Sequence, residues 1–249
     1  MPDLDYLRSI GVALEEVVHK WGRGAVDTNP PAQVTLWDGL PNEYTYIDSN
    51  SPVELFASSS SAADGQSIEI LGLDENWDRQ LKNVILQGQT PVAIEGTWIR
   101  ICHAINRGGI KLDGDVYIAE LGTWNLGVPD TVSKWKAKIL AGNNRTLMAC
   151  FSVPRNKRAF FQLMYGSMSA KTPNPIQTHR TCEIMLMMRP FGGVFLEGGA
   201  YELCSETPFF HALDTPLHLK ARTDLKLEIR NIEPDSIVVG GYSVGVASA

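Results

Sequence analysis

Residues 66–88, QSIEILGLDENWDRQLKNVILQG, decide how this chain reads. Two short runs of Ile, Leu and Val flank the polar corner DENWD at 74–78. In the first run Ile68 and Ile70 alternate with Ser67 and Glu69, the period of a strand with one wet face. Asp74, Asn76 and Asp78 stand in the order of the first three oxygen ligands of a calcium-binding loop. The pattern then fails, because Arg79 holds the position that needs glycine and Ile85 the position that needs a bidentate glutamate. The stretch therefore reads as a β-hairpin whose corner acids cap their own backbone. Trp77 is the one large apolar group in that corner. It is expected to face outward, as a contact with a neighbouring protein or a platform for a sugar ring.

The same texture extends in both directions. Short runs rich in Val, Ile, Thr, Tyr and Trp, such as QVTLWD, EYTYI, VELFASS, TWIRICHAI and GDVYIAEL, are separated by turn residues. A second set follows WKAKILAGNNR and includes TLMACFSVP, RAFFQLMYGSM, RTCEIMLMMRP and DSIVVGGYSVGVAS. This spacing predicts an all-β chain of two antiparallel β-sandwich or jelly-roll-like domains. The expected divisions are an N-terminal helical arm and linker at 1–28, a first sandwich at 29–122, a linker at 123–145 and a second sandwich at 146–249. The arm is expected because Leu4, Leu7, Leu14, Val18 and Trp21 recur at heptad-like spacing between charged residues, as in an amphipathic helix. Such an arm would pack on its own domain or dock on a partner subunit. The segment at 170–180, AKTPNPIQTHR, reads as a long exposed loop.

Composition narrows the function. The chain has 249 residues and a formal net charge of −6, and its one basic cluster is RNKR at 155–158, which argues against a nucleic-acid partner. No unbroken apolar run approaches the roughly 18 residues of a membrane span, so no membrane partner is expected. Acids stand near the start where a signal peptide would carry basic residues, which predicts folding in a cytoplasm. The four cysteines, Cys102, Cys150, Cys182 and Cys204, lack metal-ligand spacing and read as reduced core thiols.

No catalytic, cofactor-binding or metal-binding residue is assigned. Cys102 and His103 are adjacent in a strand candidate and would point to opposite faces, so they make a poor dyad. The run ASSSSAADGQS has no nucleophile-elbow pattern and reads as a flexible hairpin loop. The carboxylates of DGD at 113–115 and RTD at 222–224 would serve a glycan hydrolase only if the fold paired them. FGGVFLEGG lacks the Lys-Ser/Thr ending of a phosphate loop and reads as turn chemistry.

Several phrases resemble a group of virion structural proteins of tailed bacteriophages common among marine and cyanobacterial phages. The corner Gly72-Leu73-Asp74 and its hairpin residues Val84, Leu86 and Gly88 carry the resemblance. So do Thr146 to Ala149 with Val153 and Pro154, and Thr223 with Asp224 near the end. RNKR in place of a small turn and TDL in place of TDI depart from the pattern, and RNKR changes the charge of its turn. The resemblance covers most of the chain and implies a particle component without assigned chemistry. The expected role is a capsid decoration or cement protein, with a tail, neck or fibre-associated protein that binds a host glycan or adhesin as the alternative. Expected partners are further copies in a homo-oligomer such as a trimer, and the major capsid protein or tail and neck proteins. The assembly contacts would be Leu4, Leu7, Leu14, Val18, Trp21 and Trp77, the cofactors none, and the location the virion.

Overall fold

A computed structural model describes residues 12–26, 32–171, 180–205 and 207–249. The chain is all-β, as expected. In order come β1 (Glu16–Val26), β2 (Gln33–Thr35), β3 (Val53–Ser59), β4 (Ser67–Leu73), β5 (Arg79–Ile85) and β6 (Val92–Trp98). Then follow β7 (Arg100–Asn106), β8 (Val116–Glu120), β9 (Trp124–Asn125), β10 (Val128–Pro129), β11 (Trp135–Ile139) and β12 (Cys150–Ser152). The last third holds β13 (Lys157–Ala170), β14 (Thr181–Arg189), β15 (Leu196–Cys204), β16 (Phe209–Leu219), β17 (Asp224–Arg230) and β18 (Ser236–Ser248).

The chain forms two compact units. The outer unit joins the described residues up to Leu36 with 149–249, and the inserted unit is 37–148. In the outer unit one sheet runs β1-β18-β13-β16, and the other runs β12-β17-β14-β15 with β2 also on β17. Apolar residues of both sheets are buried, among them Phe161, Tyr242, Val244 and Val246 on one and Ile184, Leu225, Leu227 and Ile229 on the other. The sheets are in close contact at Gly240, where a Cβ would stand 2.5 Å from Ile184 Cδ1. The inserted unit has a four-stranded sheet β11-β8-β3-β6, a three-stranded sheet β5-β4-β7 and the small ribbon β9-β10. Leu55, Ile68, Ile70, Trp98, Val116 and Ile139 are among its buried core residues.

The helical arm is corrected where the chain is described. Leu14, Val18 and Trp21 do not share a helix, because residues 16–26 form β1, paired with β18 from Glu16↔Val246 to Val26↔Ser236. A spacing of four residues is common to a strand and a helix, so Leu14 and Val18 fit both. The β-branched pair Val17-Val18 and the glycines at 22 and 24 weigh against a helix. Gly22 has no room for a side chain, since a Cβ there would lie 2.2 Å from the Leu36 carbonyl oxygen. Leu4 and Leu7 lie outside the described residues, as does most of the loop expected at 170–180.

The division also differs from the one expected. β1 and β2 pair with β18 and β17, so residues assigned to an arm and a first sandwich belong to the C-terminal unit. The expected linker at 123–145 instead carries β9, β10 and β11, and β11 pairs with β8. Lys136 within it is buried and ion-paired to Glu120 at 2.9 Å. EYTYI is not a strand; Tyr44 packs edge-on against Trp37 instead, with ring centroids 5.2 Å apart.

Candidate assembly surface

The opening hairpin is present, with β4 and β5 paired from Ser67↔Ile85 to Leu73↔Arg79. Its corner is a capped turn. Asp74 Oδ1 accepts the backbone N–H groups of Asn76 at 2.8 Å and Asp78 at 2.9 Å, which is the Asx geometry the hairpin reading expects. Trp77 adopts φ +65°. Its side chain does not face outward. It is buried against Leu73 and Ile99, and the Arg100 guanidinium lies 4.8 Å from its ring centroid and 5.1 Å from that of Tyr46. Arg100 Nη1 donates to the carbonyls of Ile47 and Ile99 at 2.7 and 2.6 Å. The cation and the aromatic bury each other, and a polar-looking corner conceals its one tryptophan.

What the hairpin does expose is the outward side of β5. Arg79, Leu81, Asn83 and Ile85 alternate toward solvent, with Leu81 53% and Ile85 66% exposed. Register places Leu71 opposite Leu81 and Ile105 opposite Glu69, so the same face of the sheet carries half-buried Leu71 and Ile105 beside them. Arg107 and Glu69 form an ion pair of 2.7 Å at one end. This apolar stripe on a paired sheet is the candidate contact face of the inserted unit.

In the outer unit the exposed apolar residues gather near the β14–β15 turn and on β16: Phe191, Val194, Leu196, Phe210 and Leu217. An apolar depression of about 290 Å³ lies here, lined by Met188, Pro190, Leu217, His218, Leu219, Lys220 and Thr223. A second, more polar depression of about 430 Å³ is lined by residues of β14 and β15 with Asn231. Glu183 and Glu202 face one another across it in the β14–β15 register. Hydrogen bonds from Arg230 at 2.7 Å and Asn231 at 2.9 Å hold the Glu183 carboxyl below its ordinary range.

Of the other residues named from sequence, Leu14 packs on Val12, Phe160 and Ala247, while Val18 and Trp21 are half-buried in β1. Cys102 is buried and His103 half-buried on adjacent positions of β7, as alternation requires. Three of the thiols are buried and Cys204 is exposed, which corrects its reading as a core thiol. Burial, and secondarily Cys204 and Glu183, push the Cys182 thiol up to about 12, so it is no nucleophile at neutral pH.

Sequence reasoning missed two polar centres. In the serine-rich run, Ser59 and Asp64 are buried rather than part of a flexible loop. Asp64 accepts Ser59 Oγ–H at 2.5 Å and the N–H groups of Asp113 and Gly114 at 2.9 and 3.0 Å. Burial raises its pKa, but these bonds prevail and lower it. In the outer unit Asp224 of the TDL motif accepts Ser152 Oγ–H at 2.5 Å and Arg189 Nη2–H at 2.6 Å. The ring of Phe195 lies 4.6 Å from the Arg189 guanidinium and 4.5 Å from Lys226 Nζ, so the turn read from FGGVFLEGG also covers charges on β14 and β17. Among the described residues no group of three or more His, Cys, Asp or Glu side chains is placed to hold a metal, and no helix is long and apolar enough to cross a membrane.

No protein-family model and no curated protein matches the chain. Among solved structures, a particle of the infectious bursal disease virus Gt strain is 10% identical over 94% of this chain and 72% of its own, with a TM-score of 0.23. The Gx strain particle is 10% identical over 96% and 72%, with a TM-score of 0.24. A VP2 subviral particle of the same virus is 10% identical over 100% and 74%, also at 0.24. At that identity and superposition the likeness carries no argument about this chain.

Proposed function

We propose that the chain is a structural subunit of a virus particle, a decoration or cement protein on the head of a tailed phage. The observation that carries the reading is the outward face of β5-β4-β7, where Leu81 and Ile85 are exposed on a paired sheet. A sheet of three seven-residue strands presents about 300 Å² on one face. A stable free-standing complex buries about 800 Å² on each partner. A face of this size suits a subunit clamped by several neighbours at once, as in a shell, better than one that holds a single partner alone. The resemblance of the hairpin and TDL segments to phage virion proteins supports the same reading, which assigns no reaction to the chain. The partners are further copies of the chain and the major capsid protein.

The test is quantitative mass spectrometry of purified particles, with the wild type and a Leu81→Lys/Ile85→Lys variant. A shell component is present in hundreds of copies, and the variant is lost from particles while remaining folded. A handful of copies per particle places the protein in the tail or neck instead. Absence from particles sinks the proposal.

A further inference from the structure

We propose that the β14–β15 turn and the apolar depression beside it form a two-fold interface between two copies of this chain, the turn of each copy seated in the depression of the other. The turn is the convex half. Phe191, Val194 and Leu196 are each more than half exposed on or beside it. The Gly193 N–H donates to the Pro190 carbonyl at 2.9 Å, and Gly192 takes φ +74° with open space where a Cβ would stand, as a tight turn with glycine in its third position requires. The Arg222 guanidinium lies 5.0 Å from the Phe191 ring centroid, and Phe195 packs on Arg189 and Lys226, so the turn is braced at its base before it meets a partner. The depression is the concave half. Met188, Pro190, Leu217 and Leu219 supply the apolar walls of its roughly 290 Å³. Pro190 belongs to both halves, and Leu196 stands opposite Met188 in the β14–β15 register, so knob and hollow adjoin on one surface.

Shape and area together argue for a second copy as the occupant. A lone knob would suit any groove or a lipid surface. A knob beside a hollow is complementary to itself, which is what an isologous contact requires. Phe191, Val194, Leu196 and the partly exposed Leu217 present about 400 Å² of apolar surface, as large as the patches that mark binding sites. A stable interface buries about 800 Å² on each partner, of which somewhat over half, or about 450 Å², is apolar. The patch therefore supplies most of the apolar part of one standard interface. As one contact between copies in a particle it rests on the particle reading for its role, but its existence is a property of the isolated chain.

The test is sedimentation equilibrium of the full chain and of a Val194→Lys variant whose fold is verified by circular dichroism. The wild type is expected to pass reversibly from monomer to dimer in the micromolar range, with Kd raised at least about tenfold by Val194→Lys. A monomer at every concentration up to the solubility limit, or a dimer indifferent to Val194→Lys, overturns the proposal. So does growth past the dimer that Val194→Lys abolishes, which marks a head-to-tail contact. In a Cys204→Ser background, mixed Val194→Cys and Leu217→Cys chains should give a disulfide-linked dimer that neither variant gives alone. Linkage of Val194→Cys to itself puts two turns together and overturns the reciprocal seating. Flotation of a monomeric wild type on phosphatidylserine vesicles, lost in Val194→Lys, assigns the patch to a lipid surface instead. Copy number per particle tests the particle reading separately, so either can fail without the other.

Discussion

At the scale of residues, the groups that looked most like sites serve the fold. Trp77 is the clearest, since Leu73, Ile99 and Arg100 enclose it. Trp77→Ala should lower stability by about 3–5 kcal/mol, read from denaturant unfolding, as for other large-to-small core changes. An assembly contact alone would leave the unfolding curve unmoved. Asp64 makes a pH-dependent contribution. Its carboxyl is lowered in the folded chain, so its stabilisation is complete above the ordinary aspartate range and is lost as pH falls below about 4. Asp64→Asn should cost about 1–3 kcal/mol at neutral pH and flatten the acid limb of the stability curve. Thiol labelling gives a third check: Cys204 should react in the native protein, and Cys102, Cys150 and Cys182 only on unfolding. None of these roles was legible in one sequence, because Trp77 and Asp64 lie in polar segments and acquire partners only through distant strands. Asp224 was visible as a motif residue, but its partners Ser152 and Arg189 lie 72 and 35 positions away.

Elements were more legible than their boundaries. The hairpin of β4 and β5 follows from period-two alternation and from the Asp74 turn, both local signals. β1 failed as a helix because its decisive partner, β18, sits at the other end of the chain, and tertiary pairing overrode a spacing that two periods share. The exposed face of β5 was readable in principle, since Leu81 and Ile85 fall on the residues that alternate with Val84. What it meets was not, because outward apolar residues carry no label of their partner. Leu81→Lys with Ile85→Lys should shift unfolding free energy by no more than about 0.5 kcal/mol, as exposed substitutions do. Any assembly defect it causes then belongs to the surface and not to the fold.

At the scale of the molecule, one all-β unit is inserted into another, and the expectation of two successive domains missed that nesting because only strand order, not composition, distinguishes the two arrangements. Residues 37–148 expressed alone should give a folded β domain by circular dichroism and a cooperative unfolding transition. Residues 149–249 alone should not, because they lack β1 and β2, which pair with β18 and β17. The nesting also sets a timetable. Ribosomes add about 5–20 residues per second, and β1 precedes β18 by roughly 200 residues, so β1 is exposed for on the order of ten seconds or more before β18 is made. The inserted unit can close during that wait, while the outer sheet cannot. Slowing translation should therefore favour misassembly of the outer unit selectively, and a nascent-chain holdase should matter more to the yield of this protein than its modest length suggests.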